Sequence, residues 1–495
     1  MTTRPNIVFY FSDQQRWDTL GCYGQRLPVT PNLDSIAAEG TRYANAFTCQ
    51  PVCGPARACL QSGRYATRTG CFRNDIELPT GCDNRLADLF NAVGYDTAYV
   101  GKWHLASNKA KGIDHQTEPI PPEYRGGYNY WMAADVLEFT SHGYNGYVYD
   151  GDMRRREFIG YRADCINNFA IDYLHSRDRS KPFFLFISQI EPHHQNDHGI
   201  FEGPDGSKAR FADFDVPGDL VGTGGDWREN YPDYLGQCAS LDYNVGRLVD
   251  TLRETGDWDN TIFIYTSDHG SHFCTRNREY KRSCHDGCTH IPLIIHGGAF
   301  SGGNSCGSMK NIGDGIADGI VDSIAGGMTD GIADGNSYAN TDRTSCGKVE
   351  DAMVSLIDLP ATLLDCAGID IPESWDGRSL LSLAEGRAKY WDESVFMQIS
   401  ESQVGRAVRT RDWKYSVRAD AKGWQDSSAD VYYEDFLYDL NADPHERNNL
   451  VADEKYRGIR ENLKQLLLCH MEKAGETLPT ILPYSEMPEV LKINF

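Results

Sequence analysis

Short, almost uninterrupted runs of apolar residues recur along the first 300 residues of the chain. Runs of a few apolar residues between turn residues are typical of strands that are buried on both faces of a sheet. A strand exposed on one face would instead alternate apolar and polar side chains. Buried strands are therefore predicted at 6–11, 97–100, 182–188, 261–266 and 291–295.

Between these runs, apolar residues recur at the spacing of amphipathic helices. In one segment the apolar positions are Leu235, Cys238, Leu241, Val245, Leu248 and Leu252. Helices are predicted at 30–40, 85–93, 162–175, 233–252 and 354–368. Strands that alternate with helices predict an α/β fold with a large, mostly parallel sheet sandwiched by helices.

The pattern changes after residue 385. Segments 408–415 and 436–440 read as strands of a small antiparallel sheet, and 456–469 reads as a final amphipathic helix. We therefore predict a catalytic domain over 1–385 and a smaller α+β subdomain over 386–495.

Two segments of the first domain lack a clear period. Segment 109–156 is rich in Tyr, Gly and charge, and we interpret it as an irregular excursion, either shaping a substrate pocket or forming an ordinary surface loop. Within an insertion near 301–348, DGIADGI at 314–320 recurs as DGIADG at 330–335. We interpret the repetitive part, 311–336, as a surface insertion without a catalytic role, with a calcium-binding Gly/Asp repeat as the alternative.

The composition argues against polyanionic partners. The net charge is −23, so neither nucleic acid nor an anionic membrane is expected as a main partner. No apolar stretch is long enough to span a bilayer, and the predicted strand at 6–11 leaves no room for a signal peptide. We therefore expect a cytoplasmic protein whose 15 cysteines are reduced thiols.

A candidate nucleophile lies in the stretch PVCGPARACLQSGR at 51–64, where Cys53, Pro55 and Arg57 form C-x-P-x-R. Cys53 is predicted at a loop-to-helix junction, because Pro55 is well tolerated in a first helical turn. The amino end of that helix favours an anion beside Cys53, and Arg57 falls one turn further on. The alternative is a buried structural cysteine beside a helix that begins with proline.

Other polar residues follow the predicted strands, at the sheet edge where α/β proteins bind ligands. Asp13 and Gln14 follow the first strand, and Asp268 and His269 follow the strand at 261–266. Oxygen ligands from two strand ends suit a divalent cation beside Cys53. Taken singly, these residues could also be ordinary cap or turn residues.

Together, the 51–64 stretch, the GKWH segment at 101–104 and the LYDL…DP.E..NL pattern at 437–450 resemble the formylglycine-dependent (type I) sulfatases of the alkaline-phosphatase-like superfamily. The resemblance covers nearly the whole chain. It departs from the family's usual residues at Ala56, Gln61 and Ser62, where Ser, Leu and Thr are usual, and at Gln14, where a second Asp is common. It implies that Cys53 is oxidised to Cα-formylglycine and that Ca²⁺ is bound by Asp13, Gln14, Asp268, His269 and the modified Cys53.

The resemblance also implies a role for each remaining site residue. Arg57, Lys102 and Lys281 would neutralise charge on the sulfuryl group. His193 would protonate the departing alcohol oxygen, and His104 would take the proton that allows sulfate to leave. Sequence alone leaves neighbouring rivals open: His194 for His193, and Arg282 or His285 for Lys281.

The activity that follows is hydrolysis of the S–O bond of a small-molecule sulfate ester, such as a carbohydrate, aryl or steroid sulfate. A formylglycine-generating maturation enzyme is an implied partner, and the sequence is compatible with a homo-oligomer. One alternative is a phosphonate monoester or phosphodiester hydrolase of the same superfamily. Another is a non-catalytic protein that binds sulfated glycans and whose Cys53 stays unmodified.

Overall fold

A large twisted sheet forms the centre of the molecule in the computed structural model, which describes residues 4–302, 347–420 and 423–492. Eleven strands of the described residues belong to it. They are β1 (Asn6–Ser12), β2 (Thr41–Phe47), β3 (Asp96–Lys102), β4 (Tyr130–Ala134), β5 (Ser141–His142), β6 (Asn145–Asp150), β7 (Arg155–Ile159), β8 (Phe183–Ser188), β9 (Thr261–Ser267), β10 (Leu293–His296) and β11 (Lys348–Ser355).

The strand order places β1 at the middle of the sheet. The order is β11-β2-β10-β9-β1-β8-β3-β4-β6-β5, and β7 pairs with β6. The pairs β9-β1, β1-β8, β8-β3 and β3-β4 are all parallel. The carboxyl ends of β1, β3, β8 and β9 therefore lie along one edge of the sheet, while antiparallel pairs flank this parallel centre.

Helices cover both faces of the sheet. The helices of the described residues are α1 (Pro31–Glu39), α2 (Cys53–Ser62), α3 (Ala66–Thr69), α4 (Leu86–Ala92), α5 (Leu137–Thr140), α6 (Arg162–Ser176), α7 (Ser207–Arg210), α8 (Trp227–Glu254), α9 (Asp286–Thr289), α10 (Asp358–Cys366), α11 (Leu381–Ala384) and α12 (Arg457–Lys473), of which α1, α2, α4, α6, α8 and α10 pack on the large sheet.

Every residue of β1 is buried, because its alternate side chains enter two different cores. Phe9 packs in the core that holds α2, α4 and α10, whereas Tyr10 packs in the core that holds α1, α6 and α8. This two-sided burial explains why the strand sequence NIVFYFS carries no polar face. The predicted mostly parallel α/β fold is confirmed.

A second, five-stranded sheet lies in the carboxyl-terminal part. Its order is β12 (Ser394–Ile399), β13 (Gly405–Thr410), β14 (Trp413–Arg418), β15 (Val431–Asp439) and β16 (Thr480–Leu482). The first three pairs are antiparallel, and β15 pairs in parallel with β16. Helix α12 packs on this sheet through Leu463, Leu467 and Met471. The division at residue 385 stays a prediction.

Three local predictions were wrong. Segment 109–156 is not an irregular excursion throughout, since β4 to β6 extend the sheet there and β7 begins at its end. The helix predicted at 354–368 begins only at Asp358, because residues up to Ser355 form β11. The single strand predicted at 408–415 is a hairpin of β13 and β14. The repetitive segment 311–336 lies outside the described residues.

None of the described helices combines the length and the apolar character that crossing a bilayer requires.

Candidate functional site

Cys53 is the first residue of α2 and lies at the edge of the sheet where the parallel strands end. All ten residues of α2 are buried, and the Cys53 side chain is 1% exposed. The helix is held at its amino end by the Gly54 amide, which donates to Asn74 Oδ1 at 2.9 Å, and by the Ala56 amide, which donates to the Val52 carbonyl. The loop-to-helix position predicted for Cys53 is therefore observed.

Three predicted site residues surround the Cys53 sulfur. Lys281 Nζ lies 2.8 Å from Sγ, His269 Nε2 lies 3.2 Å from it, and Asp13 Oδ1 lies 3.4 Å from it. These neighbours come from three separate parts of the chain, since Asp13 follows β1, His269 follows β9, and Lys281 precedes α9. A side-chain atom at this position therefore contacts a cation, an imidazole and a carboxylate at once.

The electrostatics favour an anion at position 53. Burial alone would raise the pKa of the Cys53 thiol, but the positive charges of Lys102 and Lys281 and the nearby His269 hold it well below its ordinary value. Low-pKa cysteines are the reactive ones. The same cations would favour other negatively charged oxygen groups in the same place.

Asp13 is the centre of a buried charge network. Its Oδ2 accepts from Lys102 Nζ at 2.6 Å and from Arg57 Nη2 at 2.9 Å. Burial and the neighbouring Cys53 thiolate would raise the pKa of Asp13, but Lys102, His193 and Arg57 bring it below its ordinary value. Arg57 also lies 3.3 Å from Asp268 Oδ2, so the two acids share one guanidinium. Asp13 is thus held as a carboxylate deep in the protein.

The residues predicted as metal ligands come together here. Ligand atoms of Asp13, Cys53, Asp268 and His269 all lie within 4.8 Å of one another, and all four residues are buried. Burial and the charge of Asp13 raise the pKa of Asp268 to about 6, as expected for two acids that lack enough positive charge between them. A divalent cation would relieve this repulsion, so the donor set fits one.

Gln14, the remaining predicted ligand, lies in the same region, where its backbone and its side chain each make a polar contact. Its amide donates to Asp268 Oδ1 at 3.0 Å, and its φ of 67° turns the chain sharply after β1. Its side chain lines the cavity described below, with Nε2 lying 3.5 Å from Ser271 Oγ. A second group of potential ligands, at His142, His198 and Glu202, is only partly buried and lies outside this network.

The geometry distinguishes His193 from His194. His193 Nε2 lies 3.2 Å from Lys281 Nζ, and burial together with Lys281 lowers the pKa of His193. His194 points elsewhere, because its Nδ1 lies 3.0 Å from Asn196 Oδ1 and its ring packs on Tyr280. Only His193 of the two lines the cavity at Cys53.

Arg282 and His285, the alternatives to Lys281, contact other residues instead of Cys53. Arg282 pairs with Glu401 and with Glu279, and His285 Nε2 lies 3.0 Å from the Tyr438 hydroxyl. Lys281 is instead only 7% exposed and contacts the Cys53 sulfur directly. The geometry therefore favours Lys281.

His104 approaches Cys53 from the loop after β3. Its backbone has a φ of 61°, and its amide donates to the Asp135 carbonyl at 2.7 Å. The Asp135 carboxylate in turn accepts from the Ala106 amide and the Ser107 hydroxyl. This network holds the loop so that the His104 imidazole lines the cavity and helps to lower the pKa of Cys53.

A cavity of about 440 Å³ opens onto Cys53. Sequence reasoning missed several of its lining residues, above all Glu138 on α5, whose Oε2 lies 3.8 Å from His193 Nδ1. Glu138 is 6% exposed and its Oε1 accepts from the Asn196 amide. The signal was an acid in the largely apolar stretch AADVLEF at 133–139, which also contains Asp135. Other missed residues are Asn74, Asp75, Lys109, Gln116, Phe139, Asn196, Arg278 and Trp424.

Comparison with known proteins places this site in a family. The sulfatase family model matches residues 5–316, and the model of the N-sulphoglucosamine sulphohydrolase carboxyl-terminal region matches residues 339–473. The chain is 28% identical to the uncharacterized sulfatase YidJ of Escherichia coli, over 95% of this chain and 88% of that protein. It is 25% identical to the N-acetylglucosamine-6-O-sulfatase of Bacteroides thetaiotaomicron, over 94% and 86%.

Solved structures show the same fold. The crystal structure described as a sulfatase yidJ of Bacteroides fragilis superimposes with a TM-score of 0.74 at 24% identity, covering 96% of this chain and 97% of that one. The sulfatase model alone spans more than half of the sequence and includes every residue of the network around Cys53. The chain therefore belongs to the sulfatase family and is a sulfate ester hydrolase.

Proposed function

We propose that the protein hydrolyses the S–O bond of a carbohydrate sulfate monoester, with Cys53 converted to Cα-formylglycine and a divalent cation, Ca²⁺, beside it. One observation carries the proposal. At the amino end of α2, the Cys53 side chain lies within 3.4 Å of a lysine, a histidine and a carboxylate. A structural cysteine would need no such polar surroundings, since buried structural thiols are inert and apolar in their contacts.

Two groups would supply chemistry that the amino acids lack. Hydrated formylglycine at position 53 supplies one hydroxyl to attack sulfur and a second whose deprotonation releases sulfate. A cation held by Asp13, Gln14, Asp268 and His269 supplies positive charge that polarises sulfate oxygens and acidifies a neighbouring hydroxyl.

The cationic side chains bind and orient the sulfate. Lys102 is 1% exposed and Lys281 is 7% exposed, so their ammonium groups act in a water-poor environment, where charge stabilisation is strong. Arg57 is fixed more rigidly, because Nη1 donates to the Lys102 carbonyl at 3.0 Å and to Ser188 Oγ at 2.6 Å. Arg57 therefore sets the positions of Asp13 and Asp268.

Two histidines handle the protons. His193, with Nε2 beside Lys281 and Nδ1 facing Glu138, is placed to donate a proton to the departing sugar oxygen. His104 lines the same cavity and is placed to accept a proton from the group at position 53. The Nδ1 atom of His104 is buried and makes no hydrogen bond among the described residues.

A carbohydrate sulfate is proposed as the substrate for two reasons. The named relative from Bacteroides thetaiotaomicron is an N-acetylglucosamine-6-O-sulfatase, and its similarity extends over most of both chains. The cavity at Cys53 also falls in the size range of pockets that enclose small ligands.

The test is turnover by protein matured in the presence of a formylglycine-generating enzyme. We expect sulfate release from at least one sulfated mono- or disaccharide, and less turnover of phenylphosphonate esters measured in parallel. Peptide mass spectrometry at residue 53 should show the aldehyde. Preferential turnover of the phosphonate ester would support the alternative hydrolase, and an unmodified Cys53 in an inactive protein would support the non-catalytic one.

The matched variants are Cys53→Ala and Cys59→Ala. Both remove one buried sulfur atom from α2, but Cys59 packs in the hydrophobic core. We expect Cys53→Ala to abolish turnover while its circular dichroism and melting temperature stay close to those of the wild type. Cys59→Ala should retain activity, and near-wild-type turnover by Cys53→Ala would refute the mechanism.

A further inference from the structure

The cavity at Cys53 is lined mainly by basic charges, whereas the chain as a whole is acidic. The sequence has 71 acidic and 48 basic residues, yet the cavity is lined by more basic than acidic side chains. The basic ones are Lys102, Lys109, Arg278, Lys281 and Arg282, and the acidic ones are Asp75, Glu138 and Glu279. A local positive field in an acidic protein indicates an anionic ligand.

The three acids already have partners. Asp75 accepts from Gln116 Nε2 at 2.6 Å, Glu138 accepts from the Asn196 amide, and Glu279 lies 3.2 Å from Arg282. Among the described residues, none of these three acids pairs with Arg278, so its positive charge is not neutralised by them.

Among the described residues, Arg278 is the cation of the cavity wall that has no hydrogen-bond or ion-pair partner. Lys102 and Lys281 belong to the network at Cys53, and Arg282 is paired with two acids. Lys109 reaches Asp114 only at 3.8 Å, with both side chains more than half exposed. Within residues 4–302, 347–420 and 423–492, no hydrogen bond or ion pair of the Arg278 side chain is formed.

The backbone around Arg278 is nevertheless fixed. Asn277 Oδ1 accepts from the Glu279 amide at 2.8 Å, and its Nδ2 donates to the Lys281 carbonyl at 3.0 Å. The Arg276 guanidinium donates to the His445 and Glu446 carbonyls. An exposed guanidinium thus extends from an ordered turn, three residues before the lysine that contacts Cys53.

Two aromatic side chains line the same cavity while remaining exposed. Phe139 is 53% exposed and Trp424 is 44% exposed. The Arg73 guanidinium lies 5.6 Å from the Trp424 ring centre and donates to the Asn74 carbonyl, which supports the ring from the protein side. An aromatic ring presented beside polar groups suits the face of a sugar ring.

We propose that Arg278 binds a second anionic group of the substrate, a carboxylate or a further sulfate, while the sulfate to be cleaved lies at Cys53. The inference rests on the proposed function and narrows it to saccharides that carry at least two negative charges. A guanidinium suits both groups because it can donate two parallel hydrogen bonds to either. Trp424 and Phe139 would contact the sugar between the two charges.

The experiment compares three saccharides that share the sulfate to be cleaved. One is a 6-sulfated N-acetylhexosamine without another charge, one carries an N-sulfate in place of the acetyl group, and one is the 6-sulfated N-acetylhexosamine linked to a uronic acid. Steady-state kinetics are measured for the wild type, Arg278→Gln and Arg457→Gln. Arg457 is an exposed arginine at the start of α12, so its replacement controls for the lost charge.

We expect the wild type to show a lower KM for a doubly charged saccharide than for the singly charged one. Arg278→Gln should raise that KM by about 10- to 100-fold, as expected for a lost charge-assisted hydrogen bond, and leave kcat within about twofold. It should leave the singly charged substrate unchanged, and Arg457→Gln should change neither. Which doubly charged substrate responds distinguishes a carboxylate from a sulfate.

Equal KM increases for singly and doubly charged saccharides, or no increase, would overturn the inference. If the wild type cleaves no sulfate ester, the proposed function fails, but calorimetric binding of the same saccharides to Cys53→Ala still tests Arg278. In that case the affinity for the doubly charged ligands should fall on adding Arg278→Gln, and an unchanged affinity would refute the role of Arg278.

Discussion

At the scale of single residues, the site depends on charges that are buried together. Asp13 and Asp268 are 0% exposed, and the guanidinium of Arg57 and the ammonium of Lys102 neutralise them in part. Buried charges are tolerated only where partners or metal ions compensate them. We therefore expect the residues of the network to act as a unit, so that single changes in it have large effects.

Glu138 is expected to position His193 rather than to react itself. Its carboxylate lies 3.8 Å from His193 Nδ1, so Glu138→Gln should leave the imidazole less well oriented toward the departing oxygen. We expect a loss in kcat on the order of 10-fold for a sugar sulfate, smaller than the roughly 10²- to 10⁴-fold contribution of an acid itself. The loss should be smaller for 4-nitrophenyl sulfate, whose leaving group needs no proton.

The control for this prediction is Glu123→Gln. Glu123 is exposed, and its side chain makes no hydrogen bond or ion pair among the described residues. This control should change neither substrate's kinetics. Equal losses for the sugar and the aryl sulfate in Glu138→Gln would indicate a general structural role instead.

Removal of the proposed cation should destabilise the protein. Without it, Asp13 and Asp268 face each other with too little positive charge, so a chelator should lower the melting temperature and abolish turnover. Added Ca²⁺ at about 100 times its Kd should restore about 2.7 kcal/mol of stability. Differential scanning fluorimetry of metal-stripped protein measures the shift.

Two variants distinguish the buried candidate metal site at Asp268 from the partly exposed one at Glu202. Asp268→Asn should lose the response to Ca²⁺, whereas Glu202→Gln, in the partly exposed group with His142 and His198, should keep it. A Ca²⁺ response that disappears in Glu202→Gln and persists in Asp268→Asn would place the ion at the surface.

At the scale of elements, burial decided which strands the sequence reveals. β1, β8 and β9 are buried along their whole length and were predicted within one residue at each end. β2 was missed because its sequence TRYANAF is only partly buried and mixes charge with aromatic side chains. β11 was read as helix at its end because KVEDAMVS begins with the polar residues of an edge strand.

The site was more predictable than the cavity around it. Asp13, Lys102 and Asp268 lie at or directly after buried strands, so their convergence follows from a parallel sheet. Glu138 and Arg278 lie in segments whose conformation depends on contacts that are distant in sequence, such as Arg276 with His445. Strand periodicity carries no information about such contacts.

The carboxyl end of α2, opposite Cys53, offers a test of how the helix packs. Gly63 follows α2 with a φ of 65°, and a Cβ there would meet Trp375 Cδ2 at 2.1 Å. Gly63→Ala should therefore cost about 1–3 kcal/mol for the overlap, in addition to the strain of a positive φ. Gly70→Ala is the matched control, because Gly70 also has a positive φ but nothing lies within 4 Å of its Cβ position. Equal melting temperatures of the two variants would show that Trp375 moves aside freely.

At the scale of the whole molecule, the carboxyl-terminal sheet is attached to the catalytic site by buried ion pairs. Lys414 on β14 is 0% exposed and pairs with Asp286 at the start of α9 and with Glu446. Burial alone would raise the pKa of Asp286, but Lys414 and Arg409 hold it well below its ordinary value. Because Asp286 lies five residues after Lys281, the small sheet also fixes the segment that reaches Cys53.

Lys414→Met should therefore weaken both the fold and the site. It leaves the buried Glu446 carboxylate without its cation, while Asp286 keeps Arg409 as a partner, and breaking such a buried pair typically costs about 3–5 kcal/mol. We expect a lower melting temperature, and a lower kcat at temperatures where circular dichroism still shows a folded protein, because Lys281 loses its support. The control is Lys464→Met, since Lys464 pairs with Glu461 on the exposed face of α12, where such a pair contributes only about 0.3–0.5 kcal/mol. Equal melting temperatures of the two variants would show that the buried ion pairs do not hold the small sheet in place. A lower melting temperature of Lys414→Met, with full kcat while the variant is folded, would show that these pairs stabilise the molecule without ordering the residues around Cys53.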